Sequence, residues 1–183
     1  MRARNATVGM DRIYESRRPL DVMCDDIVER YHAALHRSLP RIREELAAFA
    51  GTHPSPPARE MCEVFADFAE QVQSHLAKEE HLVFPAMAAL ARSGEHPYLR
   101  AGTTFATVLH PIRLLEAEHL RIEETLDRLR ELALTVAEPD ALAEAFRHCM
   151  TELADVDRHL REQHRIENEE LFPRALELER EVL

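Results

Sequence analysis

The sequence predicts an all-α fold, an antiparallel up-down four-helix bundle, on three observations. Glycine occurs only four times in 183 residues, Ala, Leu, Glu and Arg abound, and nowhere do apolar and polar residues alternate as in a strand. Apolar residues instead recur at steps of three and four along four segments. The second pair of segments echoes the first. His119 lies 87 residues after His32, His164 lies 89 after His75, and Phe172 lies 88 after Phe84. Two similar helical hairpins related by a pseudo-twofold would make one bundle.

The first helix carries Val28, His32, Leu35, Leu39, Ile42, Leu46 and Phe49 on one face and ends near Gly51. The loop THPSPPA separates it from a second helix with Phe65, Phe68, Val72, His75, Glu79 and Leu82 on one stripe. After Gly94 an irregular connection, EHPYLRAGTTFATVL, leads to a third helix with Ile112, Leu115, His119, Ile122, Leu126 and Leu129 in register. That helix closes at Glu138-Pro139, and Pro139 suits the first turn of a fourth helix. The inner stripe of the fourth reads Cys149, Leu153, Val156, Leu160, Glu167 and Leu171. Pro85 and Pro173 are expected to kink or stop their helices. Residues 1–19 read as a partly ordered N-terminal extension and residues 20–183 as a single bundle domain.

A formal charge of −11 without a basic stripe argues against nucleic acid and against anionic membranes as partners. No apolar run has signal-peptide or membrane-span length, so a cytoplasmic location is expected. Cys24, Cys62 and Cys149 are odd in number and lack zinc or redox spacing, and read as buried thiols.

Two stretches, SHLAKEEHLVFPAM and EQHRIENEELFPRA, place histidine and glutamate on faces that otherwise bury apolar residues. A buried carboxylate costs several kcal/mol unless paired, hydrogen-bonded or bound to a metal. Residues three or four apart on a helix face the same way, so His75 with Glu79 and His164 with Glu167 can each offer nitrogen and oxygen to one site. With His32 and His119 they make four imidazoles and two carboxylates. This set suits two iron ions, with Glu79 and Glu167 bridging and each metal holding two histidines; manganese or zinc would accept the same donors. Open coordination positions would admit an oxo or hydroxo bridge, dioxygen, nitric oxide or peroxide.

At these residues the chain resembles the hemerythrin-like HHE proteins, and specifically the di-iron proteins for repair of iron centres. IVERYH, HLAKEEHLVFP, EAEH and IENEELFPRAL carry the resemblance, which spans roughly Leu20 to Leu178. It implies a cytoplasmic non-haem di-iron protein that helps restore iron-sulfur clusters after nitrosative or oxidative stress, with iron donation to damaged iron-sulfur proteins as one route. By the family pattern the ligands are His32, His75, Glu79, His119, a helix-four histidine and Glu167, while His53 falls near another histidine often present. The usual helix-four spacing is histidine, three residues, glutamate. Here it is two, and Gln163 stands in the expected place. His164 lies about 100° around the helix from the strict stripe, so a local bulge or changed coordination is needed to bring it fully inward. Longer relatives also carry an N-terminal domain with paired cysteines, which is not expected here.

Plainer readings compete. A lone histidine on an apolar stripe is more often a hydrogen-bonded core residue than a ligand, and a histidine-glutamate pair is often a surface ion pair. Taken together, the repeated set favours metal. His36 and Glu123 are expected to be solvated or to support a ligand from behind, as are Glu80 and Glu169. His81, His148 and His159 point away from the stripes, and His96 and His110 fall in the irregular connection. A hemerythrin-like carrier or sensor of dioxygen or nitric oxide is the main alternative. The residues leave enzymatic activity open, because no dedicated proton donor stands out.

Overall fold

The computed structural model describes residues 18–93, 107–136 and 143–182, and among these every regular element is helical. Four rods result. The first joins α1 (Leu20–Ile27) to α2 (Ala33–Thr52) through a π turn at Val28–His32. The second joins α3 (Pro56–Lys78) to α4 (Phe84–Ser93) through a π turn at Glu79–Val83. The third is α5 (Leu109–Thr135) alone. The fourth joins α6 (Ala143–Ile166) to α7 (Phe172–Val182) through a π turn at Glu167–Leu171.

Local chemistry sets the rod ends. Ser55 caps α3 by accepting from the Ala58 amide, and Pro56 and Pro57 fill the first turn, where a missing N–H is harmless. The helix therefore starts inside the stretch read as loop. The start of α5 is held by Glu179 of α7, which accepts from the Thr107 hydroxyl at 2.7 Å and the Val108 amide at 2.8 Å. His110 lies in the first turn of α5 rather than in the irregular connection. Gly94, His96, most of that connection and the Glu138-Pro139 junction lie outside the described residues.

Pro85 and Pro173 do not stop their rods. In each case the preceding π turn closes with a bond reaching five residues back, Phe84 N–H to the Glu79 carbonyl and Phe172 N–H to the Glu167 carbonyl. The helix then continues with the proline in the first turn of the next segment. The added residue shifts the inner face by about 100°. Leu82, expected on the stripe, is 40% exposed, and Val83 is buried in its place. The same shift leaves Val28 half-buried and buries Ile27, Cys24, Met23 and Leu20 on α1. The third rod has no π turn, and its six predicted inner residues are all buried.

Contacts between rods run in crossed order. Arg41, Glu45 and Phe49 of α2 meet Glu152, His148 and Phe146 of α6. Glu60 and Lys78 of α3 meet Arg128 and Glu118 of α5. The apolar interior forms two clusters. One gathers Leu35 to Phe49, Met61 to Leu76, Ile122 to Leu129 and Phe146 to Leu160. The other gathers Leu20 to Ile27, Val83 to Met87, Val108 to Leu115 and Leu171 to Ala175. Ile42 lies in the first cluster with no exposed surface. Ile42→Val is expected to cost roughly 0.5–1.5 kcal/mol, read as a lower urea midpoint with unchanged slope. Leu120→Ala, at a side chain 65% exposed, should leave the midpoint nearly unmoved.

Candidate metal centre

Between the two apolar clusters lies a layer of buried polar side chains drawn from all four rods: His32, His75, Glu79, His119, Gln163, His164 and Glu167. The π turns position three of them. His32 ends the first, Glu79 opens the second and Glu167 opens the third. Phe84 stacks on the His32 ring, with centroids 5.8 Å apart, and Phe172 stacks on the His119 ring at 6.0 Å. Each Phe-Pro step thus fixes an imidazole as well as turning the helix.

The two carboxylates sit at the middle of the layer. Glu79 Oε1 is 3.1 Å from His75 Nε2, and Glu79 Oε2 is 3.2 Å from His32 Nε2. Glu167 Oε2 is 3.1 Å from His119 Nε2. The His164 ring lies face to face with His119, centroids 3.9 Å apart, and edge-on to His75 at 5.9 Å. One ligand atom from each of His75, His119 and His164 falls within 4.8 Å of the others, as does one from each of His75, Glu79, His119 and Glu167.

The other ring nitrogen of each histidine is held from outside. His32 Nδ1 pairs with Glu80 at 2.8 Å, His75 Nδ1 with Glu118 at 3.1 Å, His119 Nδ1 with Asn168 at 3.1 Å and His164 Nδ1 with Glu123 at 3.0 Å. When Nδ1 donates outward, the Nε2 lone pair is left to face the centre, the arrangement in which an imidazole binds a cation. Glu80 and Glu123 thus take the supporting role allowed by the sequence, and Glu80 also bonds the exposed His36 at 3.2 Å. Glu169 instead pairs with Arg165 at the surface.

Charge in the layer is unevenly shared. Burial lowers the His75 imidazole, but the charge of Glu79 and the Glu118 hydrogen bond outweigh it and lift His75 to about 10. Burial is likewise overcome at His119 by hydrogen bonds to Glu167 and Glu79, which raise it to about 9. At His164 burial prevails and the positive charges of His119 and His75 add to it, bringing the ring down to about 2. Glu79 resists burial and is held well below the usual carboxylate range by the His75 charge, whereas burial and the Glu79 charge raise Glu167. At neutral pH, His75 and His119 of the metal-free chain therefore carry protons that a cation must displace. Metal uptake is expected to release protons, and affinity to rise with pH until those two rings lose their protons unaided. A pH-indicator titration in weak buffer checks this; uptake without acidification would contradict it.

Chemistry of the donor set tests the fit to a metal. His75 Nε2, His119 Nε2, His164 Nε2, Glu79 Oε1, Glu167 Oε2 and Gln163 Oε1 are buried without a well-aligned hydrogen bond among the described residues, and for His75–Glu79 and His119–Glu167 only an ion-pair contact of 3.1 Å stands in for one. Unsatisfied buried polar atoms of this kind are costly singly, and their convergence is what a cation resolves. Imidazole nitrogen with carboxylate oxygen suits iron, manganese or zinc.

All six candidate ligands enter the layer. His32 stands apart from both close groupings, facing Glu79 Oε2 and Gln163. His164 comes inward without a bulge, because α6 stays a regular helix through Ile166 and the side chain is sandwiched against α5. Gln163 is also fully buried, so two consecutive residues face the centre. His53 stays outside the layer, beyond α2, stacking on Phe49. Glu118 and Asn168 were not singled out in the sequence; each adjoins a candidate ligand in the chain but supports a histidine on another rod.

Residues 24–103 match the family model described as Hemerythrin HHE cation binding domain. Among curated proteins, the iron-sulfur cluster repair protein YtfE of Yersinia pestis (strain Pestoides F) is 28% identical over 161 residues. YtfE of Edwardsiella ictaluri (strain 93-146) is 29% identical over 160. Each alignment covers 86% of this chain and 66% of the relative, so the chain spans just under two thirds of those proteins. No helix among the described residues is long and apolar enough to cross a membrane. The matches agree with the histidine and glutamate motifs: the chain resembles the hemerythrin-like HHE-domain proteins and, among them, the iron-sulfur cluster repair proteins.

Proposed function

We propose that the chain is a non-haem di-iron protein that supports repair of iron-sulfur clusters under nitrosative or oxidative stress, acting in the cytoplasm with damaged iron-sulfur proteins as clients. The observation that carries the reading is the convergence, in a layer walled by two apolar clusters, of nitrogen and oxygen atoms that lack a well-aligned hydrogen bond among the described residues. His32, His75, His119, His164, Glu79 and Glu167 would hold the ions. Bound iron would supply a redox-active Lewis acid able to take dioxygen, nitric oxide or peroxide.

The chain's own groups set how that centre behaves. Glu80, Glu118, Asn168 and Glu123 orient the rings, and Phe84 and Phe172 press on two of them. The apolar clusters keep bulk water from the layer, which strengthens every electrostatic contact inside it. Crossed contacts between α2 and α6 and between α3 and α5 support an antiparallel up-down arrangement. Matching pairs His32–Phe84 and His119–Phe172 support a pseudo-twofold between two hairpins. Residues 20–183 would form this one domain, with residues 1–19 an extension.

Iron-replete protein should carry iron and restore activity to an enzyme whose cluster nitric oxide has damaged. Iron-loaded protein that gives no restoration but shows a reversible optical change with dioxygen or nitric oxide would move the assignment to a carrier or sensor. Protein that takes up no metal would remove both.

A further inference from the structure

The two halves of the polar layer are not alike, and Gln163 makes the difference. Its amide Nε2 lies 3.1 Å from His32 Nε2, 3.1 Å from Glu79 Oε2 and 3.0 Å from Glu167 Oε1. One nitrogen thus meets an imidazole and one oxygen of each central carboxylate, a position between three donors that a cation would otherwise occupy. On the opposite side of the same carboxylates, Glu79 Oε1, Glu167 Oε2 and the Nε2 atoms of His75, His119 and His164 lack a well-aligned hydrogen bond among the described residues. One half offers three imidazoles and two carboxylate oxygens. The other offers one imidazole and two carboxylate oxygens already satisfied by an amide.

We infer that the centre has two unequal metal positions: a tight one at His75, His119 and His164, and a weak one beside His32 that fills only when the Gln163 amide turns away. This rests on the two-ion reading above and says which ion is exchangeable. A neutral amide is a poorer donor than imidazole for a transition-metal cation. To admit an ion, the amide must also surrender its hydrogen bonds to two carboxylates. Losing two bonds to charged acceptors corresponds to binding weaker by roughly 100-fold or more. His164 compensates the tight half, supplying there the imidazole that Gln163 does not supply beside His32.

The test is anaerobic titration of metal-free protein with Co(II), followed by its visible absorption and by native mass spectrometry. Wild type is expected to pass through a dominant one-cobalt species and take the second ion more weakly by roughly 100-fold or more. Gln163→His should bring the second affinity up toward the first, and His164→Ala should weaken the first equivalent with Gln163 intact. Wild-type protein that goes directly from no cobalt to two, with no one-cobalt species, would overturn the inequality while leaving the two-ion reading in place. Binding of no cobalt at all would overturn both. Should Gln163→His not fold, the wild-type species distribution decides the question alone.

Discussion

Glu79→Ala is expected to reduce bound metal to a trace while far-ultraviolet circular dichroism stays helical. The carboxylate reaches both halves of the layer, 3.1 Å from His75 and 3.2 Å from His32, and accepts from Gln163. Its removal would take away one oxygen from each proposed metal position and the charge that sustains the His75 proton. Deleting one partner of a buried charged pair costs roughly 3–5 kcal/mol. At about 2–4 °C per kcal/mol for a chain of this size, the metal-free variant should melt roughly 6–20 °C below the metal-free wild type. Glu169→Ala, at an exposed residue that pairs with Arg165 at the surface, should keep both metal and melting temperature. Unchanged metal content and spectrum in Glu79→Ala would mean that the carboxylate is structural.

Removing metal from the wild type is the second large effect. An ion that binds only the folded chain stabilises it by about 4.1 kcal/mol when present at 1,000 times its dissociation constant. The metal-free protein should then melt roughly 8–16 °C below the loaded one, and the gap should close as metal is added back. Six buried atoms that lack a well-aligned hydrogen bond among the described residues are the reason to expect so much. Identical melting of chelated and loaded samples would show that the layer satisfies itself without a cation. The helices should persist in both states, because the apolar clusters above and below the layer do not depend on it.

How much could be read in advance differs from rod to rod. Along α5, each of the six residues that regular spacing put on the inner face is buried, since nothing interrupts the helical period. In the second rod the same arithmetic chose Leu82 over Val83, because a π turn adds a residue that spacing rules do not anticipate. The proline that follows was a signal of irregularity, but it pointed to an end rather than to a change of phase. The burial of the six candidate ligands in one layer was legible because ionisable residues on an apolar stripe are expensive and rare. Gln163 was visible only as the residue standing where a histidine was expected; its occupation of one half of the layer depends on where the other rods bring His32 and both carboxylates. Glu118 and Asn168 were hidden for the same reason, as their partners lie 43 and 49 residues away in the chain.

The extra residue in each π turn also makes this protein intolerant of a kind of change that most helices absorb. Deleting one residue within Glu79–Val83 would restore ordinary winding, yet rotate Phe84 and everything after it by about 100°. Phe84 would leave the His32 ring, and Val83, Phe84 and Met87 would lose their places in the apolar cluster beyond the centre. Length at these points is therefore part of the address by which three of the four rods place their polar side chains in the layer. Single-residue trimming there should be far more damaging than at the THPSPPA junction, where the chain already turns at the surface.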